Sequence, residues 1–295
     1  MRLGVDFGGT KIEAALLDFT GEMRVRRRAP NPGSYRAAID AVAALMGAVE
    51  AEAGARANTV GIAVPGSLSP ADGRMRNANS VWLNGEAFLQ DVSAALSRPV
   101  RLENDANCFA LSEAVDGAAA HGRVVFGVIL GTGCGGGVVV ERTVVAGANG
   151  VAGEWGHTPL PWPRADEVAP RDWCGRRGCL EQWISGSGFR RWAGMSAEEA
   201  AAAADAGDAK ALAALDLLAD RIARGLAVVI DILDPDVIVL GGGVSNIERL
   251  YPSIRGKLIA HVFSDVVRTE IVKNRHGDSS GVRGAAWLFG REEAA

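Results

Sequence analysis

The sequence predicts an α/β protein of two related lobes, and three observations carry that prediction. An apolar run, a glycine turn and a second apolar run occupy residues 3–17. The same pattern returns over residues 124–141, and a third glycine cluster, Gly241 to Gly243, follows another apolar run. Duplicated strand–glycine–strand units with turns of this size suit two α/β halves closing on a nucleotide. Chance among 38 glycines is the competing account.

Leu3 to Val5 and Ile12 to Leu17 flank Asp6-Phe7-Gly8-Gly9-Thr10-Lys11, a strand, a tight turn and a strand. Glycines there let backbone N–H groups approach a ligand closely. The Thr10 hydroxyl, the Lys11 ammonium and bare amides suit a polyphosphate, and Asp6 suits a hydrated Mg²⁺. An ordinary hairpin has the same outline. Arg24 to Arg28 is expected to be a solvated strand. Ala37 to Ala53 has apolar residues at helical spacing, and Thr59 to Val64 is a strand ended by Pro65-Gly66-Ser67. Val100 to Leu102 is a short strand and Ala106 to Ala120 a helix.

A composition shift near Gly117 to Gly122 marks a domain boundary. Beyond it Val124 to Leu130 is a strand, Gly131 to Gly137 a glycine turn and Val138 to Glu141 a second strand. Ala197 to Ala206 and Ala209 to Leu233 are helices, the second stopped by Asp234-Pro235. Val237 to Leu240 is a buried strand, and Gly281 to Gly290 a last helix packing through Trp287, Leu288 and Phe289.

A net charge of −4 supplies no basic stripe for nucleic acid. Charges and glycines interrupt every apolar run before it reaches membrane-spanning length. The N-terminus opens on a strand with no leader, so a cytoplasmic location is expected. Four cysteines are too few for a disulfide scaffold of this size.

Gly131-Thr132-Gly133-Cys134-Gly135-Gly136 satisfies G-x-G-x-x-G, but that fingerprint needs a helix directly afterwards. The β-branched Val138-Val139-Val140 predicts a strand instead, which excludes a Rossmann dehydrogenase. No phosphate-loop motif with Gly-Lys-Ser/Thr occurs. Glu103-Asn104-Asp105-Ala106-Asn107 lies where a strand passes into a helix. An ionised Asp105 there can accept a proton from a substrate hydroxyl, or Asp105 or Asn104 can simply cap the helix. His157, Cys174 and Cys179, with glycines between them, suit tetrahedral Zn²⁺. Three ligands are not four, and Asp172 stands two residues before Cys174 as an acceptable carboxylate ligand.

Together these motifs resemble the repressor/open-reading-frame/kinase (ROK) family of sugar kinases, which has the actin-like ATPase (ribonuclease H-like) fold of two lobes with a cleft between them. The carrying stretches are Asp6 to Lys11, Pro65 to Ser67, Glu103 to Asn107, Leu130 to Gly137, Gly153 to His157, Cys174 to Glu181 and Leu240 to Gly243. Within the family the chain is similar to bacterial fructokinases, on Asn77 to Gly85, Glu113 to Ala120 and His276 to Gly284. The resemblance implies a small lobe at residues 1–117, to which a helix at about 284–295 returns, and a large lobe at 118–283 with a zinc-binding loop.

The resemblance also assigns roles. Asp6, Gly8, Gly9, Thr10 and Lys11, with Gly131, Thr132, Gly133, Gly135, Gly136 and Gly137, would hold the ATP phosphates and Mg²⁺. Gly241, Gly242 and Gly243 would lie near the adenosine. Asp105 would be the catalytic base. Gly66, Ser67, Asn79, Asn104, Glu154, His157 and Glu181 would contact the sugar. His157 would also bind zinc, with Asp172, Cys174 and Cys179. The family's usual Cys-x-Cys-Gly-x-x-Gly-Cys departs here at its first cysteine, replaced by Asp172.

The expected reaction is transfer of phosphate from ATP to the 6-hydroxyl of a hexose, fructose first. N-acetylglucosamine, glucose, mannose and N-acetylmannosamine are the alternatives. The family also implies a homodimer. It includes sugar-responsive repressors with a DNA-binding segment ahead of the kinase-like fold. Only Met1 and Arg2 precede the first strand, so that reading is disfavoured.

Overall fold

A computed structural model describes residues 1–290 and Glu293. Of the returning helix expected at about 284–295, residues 291, 292, 294 and 295 lie outside the described residues. In chain order the first elements are β1 (Arg2–Phe7), β2 (Lys11–Leu17), β3 (Met23–Pro30), α1 (Tyr35–Ala53), β4 (Val60–Val64), β5 (Ser67–Leu68) and β6 (Met75–Arg76). Next come α2 (Phe88–Leu96), β7 (Val100–Asn104), α3 (Asp105–Val115), β8 (Val124–Leu130), β9 (Cys134–Val140) and β10 (Thr143–Val144). Then follow α4 (Glu181–Ile184), α5 (Gly186–Ala193), α6 (Ala197–Asp205), α7 (Ala209–Leu233), β11 (Val237–Gly241), α8 (Leu250–Leu258), β12 (Glu270–Lys273) and α9 (Ser280–Ala286).

The chain divides into two compact units. The first comprises Met1–Gly117, Arg142–Ala152 and Asp278–Ala295, and the second Ala118–Glu141 and Gly153–Gly277. Residues 142–152, which the sequence reading gave to the second lobe, therefore pack with the first. Arg76 donates to the Asn149 carbonyl there, and Gly150 lies against the Leu68 carbonyl.

In the first unit the sheet order is β3-β2-β1-β4-β7. The two hairpin connections are antiparallel, whereas β1, β4 and β7 run parallel. Alternation along β1 sends Leu3, Val5 and Phe7 into a core with Ile39, Val42 and Met46 of α1 and Phe88 and Val92 of α2. The opposite face is built for close approach. Gly4 and Gly61 are register partners on β1 and β4. A Cβ at Gly4 would sit 2.1 Å from the Val282 carbonyl oxygen, and one at Gly61 1.7 Å from that of Ala285. Helix α9 thus lies in backbone contact with the sheet, and Gly284 lets it meet Cys108 of α3 as closely.

In the second unit β8 and β9 form an antiparallel hairpin, and β11 and β12 continue from β8 in parallel. Helix α7 is capped at its start by the Asp208 side chain, which accepts from the Ala211 N–H at 3.0 Å. It ends at Asp234, held at φ 47, before Pro235. Ser196 and Glu199 form a reciprocal capping box on α6. Leu215, Leu218, Ile222 and Leu226 of α7 pack with Ile238 and Leu240 of β11 and Phe126 and Val128 of β8.

Three sequence expectations shift. Helix α9 ends at Ala286, so Trp287, Leu288 and Phe289, expected within the last helix, follow it instead. Helix α3 starts at Asp105 and ends at Val115, not Ala120, because Asp116 and Gly117 break it. Strand β9 begins at Cys134, so Gly135, Gly136 and Gly137 are strand residues and the turn is only Gly131 to Gly133. Their lack of side chains has a packing reason. A Cβ at Gly136 would meet the Gly153 carbonyl oxygen at 2.6 Å and Trp155 at 2.7 Å. No helix among the described residues is long and apolar enough to cross a membrane.

The glycine pair under α9 yields a test. Gly61→Ala places a methyl group against the Ala285 carbonyl, and overpacking of this kind costs roughly 1–3 kcal/mol. The melting temperature should fall by several degrees, while Gly47→Ala, where a Cβ meets nothing within 4 Å, should leave it level or higher. Equal melting temperatures for the two variants would remove the close-packing account.

Candidate active site

The first unit gathers its polar residues at the carboxyl ends of three parallel strands, where open α/β sheets collect ligands. Asp6 ends the β1 register opposite Ala63 of β4, and Glu103 and Asn104 stand opposite Ala63 and Val64. The turn after β1 is held from outside. Asn31 donates its side-chain amide to the Gly8 carbonyl at 2.8 Å and its backbone N–H to the Thr10 carbonyl at 2.9 Å. Gly9 adjoins Ser80 and Asn79, with a Cβ there 3.3 Å from Ser80 Oγ. Neither Gly8 nor Gly9 has positive φ, so their value is close approach rather than turn geometry. Thr10, Lys11, Asn79 and Asp105 are exposed.

Asp105 Oδ1 accepts the N–H of the next residue, Ala106, at 2.9 Å, but the residue that caps α3 is Asn104. Its Oδ1 accepts from the Ala106 N–H at 2.9 Å and the Asn107 N–H at 3.3 Å. Asp105 is therefore the first residue inside α3. The Asn104 amide also donates to the Gly66 carbonyl at 3.1 Å, so it ties α3 to the Pro65–Ser67 loop. Gly66 requires glycine: φ is 77, and a Cβ would sit 2.3 Å from the Arg76 carbonyl oxygen. Arg76 donates to Ser67 Oγ at 3.2 Å. Asn84, which the sequence reading left without a role, pairs both ways with the Ala78 backbone at 2.9 and 3.0 Å and braces the loop bearing Asn79. Its signal was visible only as an Asn beside Gly85 in a polar loop.

Burial, then the charges of Asp105 and Glu13, push the Asp6 carboxyl up to about 6. Its neighbourhood also includes Gly281 at the start of α9, where a Cβ would fall 2.8 Å from Asp6 Oδ2. Two repelling carboxylates at one strand end form a site that a hydrated divalent cation would relieve.

In the second unit the Gly131–Gly133 turn is tied to its neighbours by backbone contacts. Gly131 N–H donates to the Gly133 carbonyl at 3.0 Å, and Gly186 N–H to the Gly131 carbonyl at 2.7 Å. Gly242, at φ 83, lies so near that a Cβ would meet the Leu130 carbonyl oxygen at 2.5 Å. The structure thus brings Gly131, Thr132 and Gly133 beside Gly241, Gly242 and Gly243. Glu181 joins this turn to the next group: its Oε2 accepts the Cys134 N–H at 2.8 Å. Glu154 and His157 flank Trp155, whose indole N–H donates to the Gly135 carbonyl at 3.1 Å. Glu181 and Glu154 lie close enough to Cys134 that, after burial, their charges raise its thiol.

The four expected metal ligands meet. One donor atom from each of His157, Asp172, Cys174 and Cys179 lies within 4.8 Å of all the others. Cys174 Sγ and Cys179 Sγ are 3.6 Å apart, and His157 Nδ1 and Asp172 Oδ2 3.2 Å. Tetrahedral Zn²⁺ with ordinary bond lengths sets ligand–ligand edges of about 3.8 Å for sulfur pairs and about 3.3 Å for nitrogen–oxygen pairs. The donor set fits. Asp172 is buried at 3% exposure, and Gln182 donates to its Oδ1. That amide is placed to orient the Asp172 carboxylate, as the outer partner of a metal ligand would be, a role that no sequence motif marks. Burial, with Cys174 and the Asp172 charge, pushes the Cys179 thiol up to about 12, an environment that a cation reverses.

A family model described as "ROK family" matches residues 2–292. The chain belongs to the ROK family. It is similar to the N-acetyl-D-glucosamine kinase of Shigella flexneri serotype 5b, at 38% identity over 98% of this chain and 99% of that one. The enzyme of the same description from Salmonella heidelberg matches at the same identity and coverage. Among solved structures, a ROK hexokinase from Thermus thermophilus has a TM-score of 0.86 at 31% identity, covering 97% of each chain. A ROK family glucokinase from Streptomyces griseus, in complex with glucose and AMPPNP, has a TM-score of 0.79 at 28% identity, covering 97% of this chain and 98% of that one. This ROK chain is a sugar kinase, a phosphotransferase, with the actin-like ATPase fold.

The raised Asp6 carboxyl makes a prediction about stability. Its ordinary value is 3.8, so between about pH 4 and 6 the folded chain binds more protons than the unfolded one. Stability therefore falls as pH rises through that window, and the deficit is complete above it. Asp6→Asn should raise the melting temperature at pH 7.5 and lose that advantage near pH 4. A variant less stable than the parent at pH 7.5 would contradict the repulsion.

Proposed function

We propose that the chain transfers the γ-phosphoryl group of Mg²⁺-ATP to the 6-hydroxyl of a hexose, and that the hexose is N-acetyl-D-glucosamine. The observation that carries the chemistry is Asp105, exposed on the first turn of α3 while Asn104 takes the capping role. The sugar identity is supported by relatives of that description at 38% identity over nearly the whole chain. The fructose expectation rests on the stretches Asn77 to Gly85, Glu113 to Ala120 and His276 to Gly284 alone and becomes the competing arm of the test.

A primary hydroxyl is a poor acid, so the enzyme must hold its oxygen in line with the γ-phosphorus. Transfer of this kind passes through a loose transition state, in which the attacking oxygen keeps its proton until late. The Asp105 carboxylate, a weak base, suffices to take that proton as the bond to phosphorus forms. The amides of the Gly8–Lys11 turn and the Gly131–Gly133 turn, with Thr10 and Lys11, would cradle the phosphates. Gly135, Gly136 and Gly137 would then support that turn from the strand. Asp6 would hold Mg²⁺, which supplies charge neutralisation on the phosphate oxygens. Asn79, Glu154, His157 and Glu181 would orient the sugar hydroxyls.

A panel of N-acetylglucosamine, fructose, glucose, mannose and N-acetylmannosamine in a coupled ADP assay tests the substrate, with N-acetylglucosamine expected to give the highest kcat/KM. A higher value for fructose would replace it. In the same assay Asp105→Asn should lose roughly 10²–10⁴ in kcat with ATP affinity kept. Parental turnover in that variant would return Asp105 to a structural role.

Zinc held by His157, Asp172, Cys174 and Cys179 would fix the imidazole for the sugar. A carboxylate is a harder ligand than thiolate, so the metal should leave more readily than from a three-cysteine site. Gently purified protein should contain about one Zn²⁺ per chain, and Asp172→Cys should slow its loss to a chelator. Metal-free protein with full activity would exclude the role, and identical loss rates would remove Asp172 from the ligand set.

A further inference from the structure

The loop of Asp172 and Cys174 also carries an exposed aromatic residue. Trp173 stands between Asp172 and Cys174, at the position that the family's Cys-x-Cys pattern leaves unspecified. It is 69% exposed, yet it is held at two points. Its indole N–H donates to Glu181 Oε1 at 2.9 Å. Its ring meets the His157 ring edge-on, with centroids 5.1 Å apart and planes at 81°. Both partners are residues read above as sugar contacts. A scattered surface aromatic needs no explanation, but one fastened to these two side chains with its remaining surface in solvent does.

The consequence for Glu181 follows from acceptor counting. A carboxylate offers about four lone-pair positions. One on Oε2 is taken by the Cys134 N–H and one on Oε1 by Trp173, which leaves a lone pair on each oxygen for sugar hydroxyls. The terminal torsion of Glu is broad, so a single donor on Oε2 would not fix the carboxylate plane. The second donor does. The indole also adds a flat apolar surface with a polar tip, which suits the C–H face of a pyranose lying against it while its hydroxyls reach Glu181.

We propose that Trp173 is a substrate-positioning residue of the hexose site: its N–H sets the Glu181 carboxylate for two sugar hydroxyls, and its open face is a wall for the sugar ring. The inference rests on the reading of His157 and Glu181 as hexose contacts. Its test separates the two claims by measuring hexose binding by calorimetry without ATP, alongside KM for hexose and for ATP. Trp173→Phe keeps a ring and removes the N–H; Trp173→Ala removes both; Glu181→Gln tests the site itself.

Trp173→Phe should weaken hexose binding about fivefold, the scale of one partly exposed hydrogen bond to a charged group. Trp173→Ala should weaken it further, and KM for ATP should stay within about twofold in both. Zinc content and melting temperature should match the parent. The Trp173→Phe, Glu181→Ala double variant should bind hexose no more weakly than Glu181→Ala alone, because with no acceptor left at 181 the indole N–H has nothing to set. If Glu181→Gln weakens hexose binding and neither Trp173 variant does, the Trp173 assignment fails alone. If Glu181→Gln has no effect, the underlying sugar-site reading fails. Fully additive losses overturn the route through Glu181. Lost zinc with both KM values raised makes Trp173 a structural residue of the loop.

Discussion

Backbone-to-backbone contact at glycine is the constraint from which the site geometry follows. In the first unit, Gly4 and Gly61 remove the two side chains that would keep α9 off the sheet. With them gone, the helix settles against β1 and β4, and its first turn arrives beside Asp6. Ser280 then reaches Glu113 of α3 at 2.9 Å, and Gly284 meets Cys108. Helix α3 is thereby fixed from two sides, and Asp105 at its start shares a strand end with Asp6. In the second unit the same device works between Gly136 and Gly153, where either Cβ would strike the other's carbonyl oxygen. That contact lays the segment of Glu154 and His157 along β9. Side-chain packing alone, with its spacing of several ångströms, would not set these groups so closely.

The electrostatics run against stability where chemistry is expected. Asp6 is raised by burial and by like charge, and no cation in its vicinity cancels that repulsion in full: Lys11 and Arg28 lower the value, yet it stays near 6. Elsewhere in the same unit carboxylates are matched. Glu13, buried at 2% exposure, is gripped by Arg26 and Arg28, and both arginines extend to Asp278. The stretch Arg24 to Arg28, expected to be merely solvated, therefore includes a charge clasp between β2, β3 and the entry to α9. A chain that neutralises Glu13 so thoroughly and leaves Asp6 raised by burial and by the Asp105 charge has the pattern of a sheet end reserved for a charged ligand.

Much of this was legible because glycine and Asp/Asn clusters have few uses at strand ends. The hairpins at residues 3–17 and 124–141, the long α7 with its Asp-Pro stop, and the strand into Gly241 all follow from apolar runs and breakers. The rejection of a dinucleotide fold also holds, since β9 follows the glycine turn. What stayed hidden was the partner of each glycine. Nothing local says that Gly136 faces Gly153, so the glycines after Gly133 read as turn when they are strand. The same limit applied to Asn104: sequence offers two capping candidates side by side, both accept the Ala106 N–H, and only the further Asn107 N–H on Asn104 Oδ1 distinguishes them. Asn84 and Gln182 were missed because their partners lie six and ten residues away with no spacing rule to link them, and an isolated amide carries no pattern.

The metal loop joins these lines. Replacing a thiolate by the Asp172 carboxylate changes more than one bond. A thiolate needs little outer support, whereas a carboxylate has a second oxygen that must be satisfied once buried. Gln182 meets that need at Oδ1, and the Cys174 N–H contributes at Oδ2 alongside His157. Asp172 is thus embedded in a set of partners, as the proposed ligand role requires. Trp173 follows directly in the chain and binds Glu181, while Glu181 holds the Cys134 N–H at the end of the glycine turn. A single path of hydrogen bonds then runs within the second unit from Gln182 through Asp172 to His157, and a second from Trp173 through Glu181 to β9. The loop that departs from the family's usual cysteine pattern at Asp172 is thus the one that holds His157 and Glu181, two of the side chains proposed to contact the sugar.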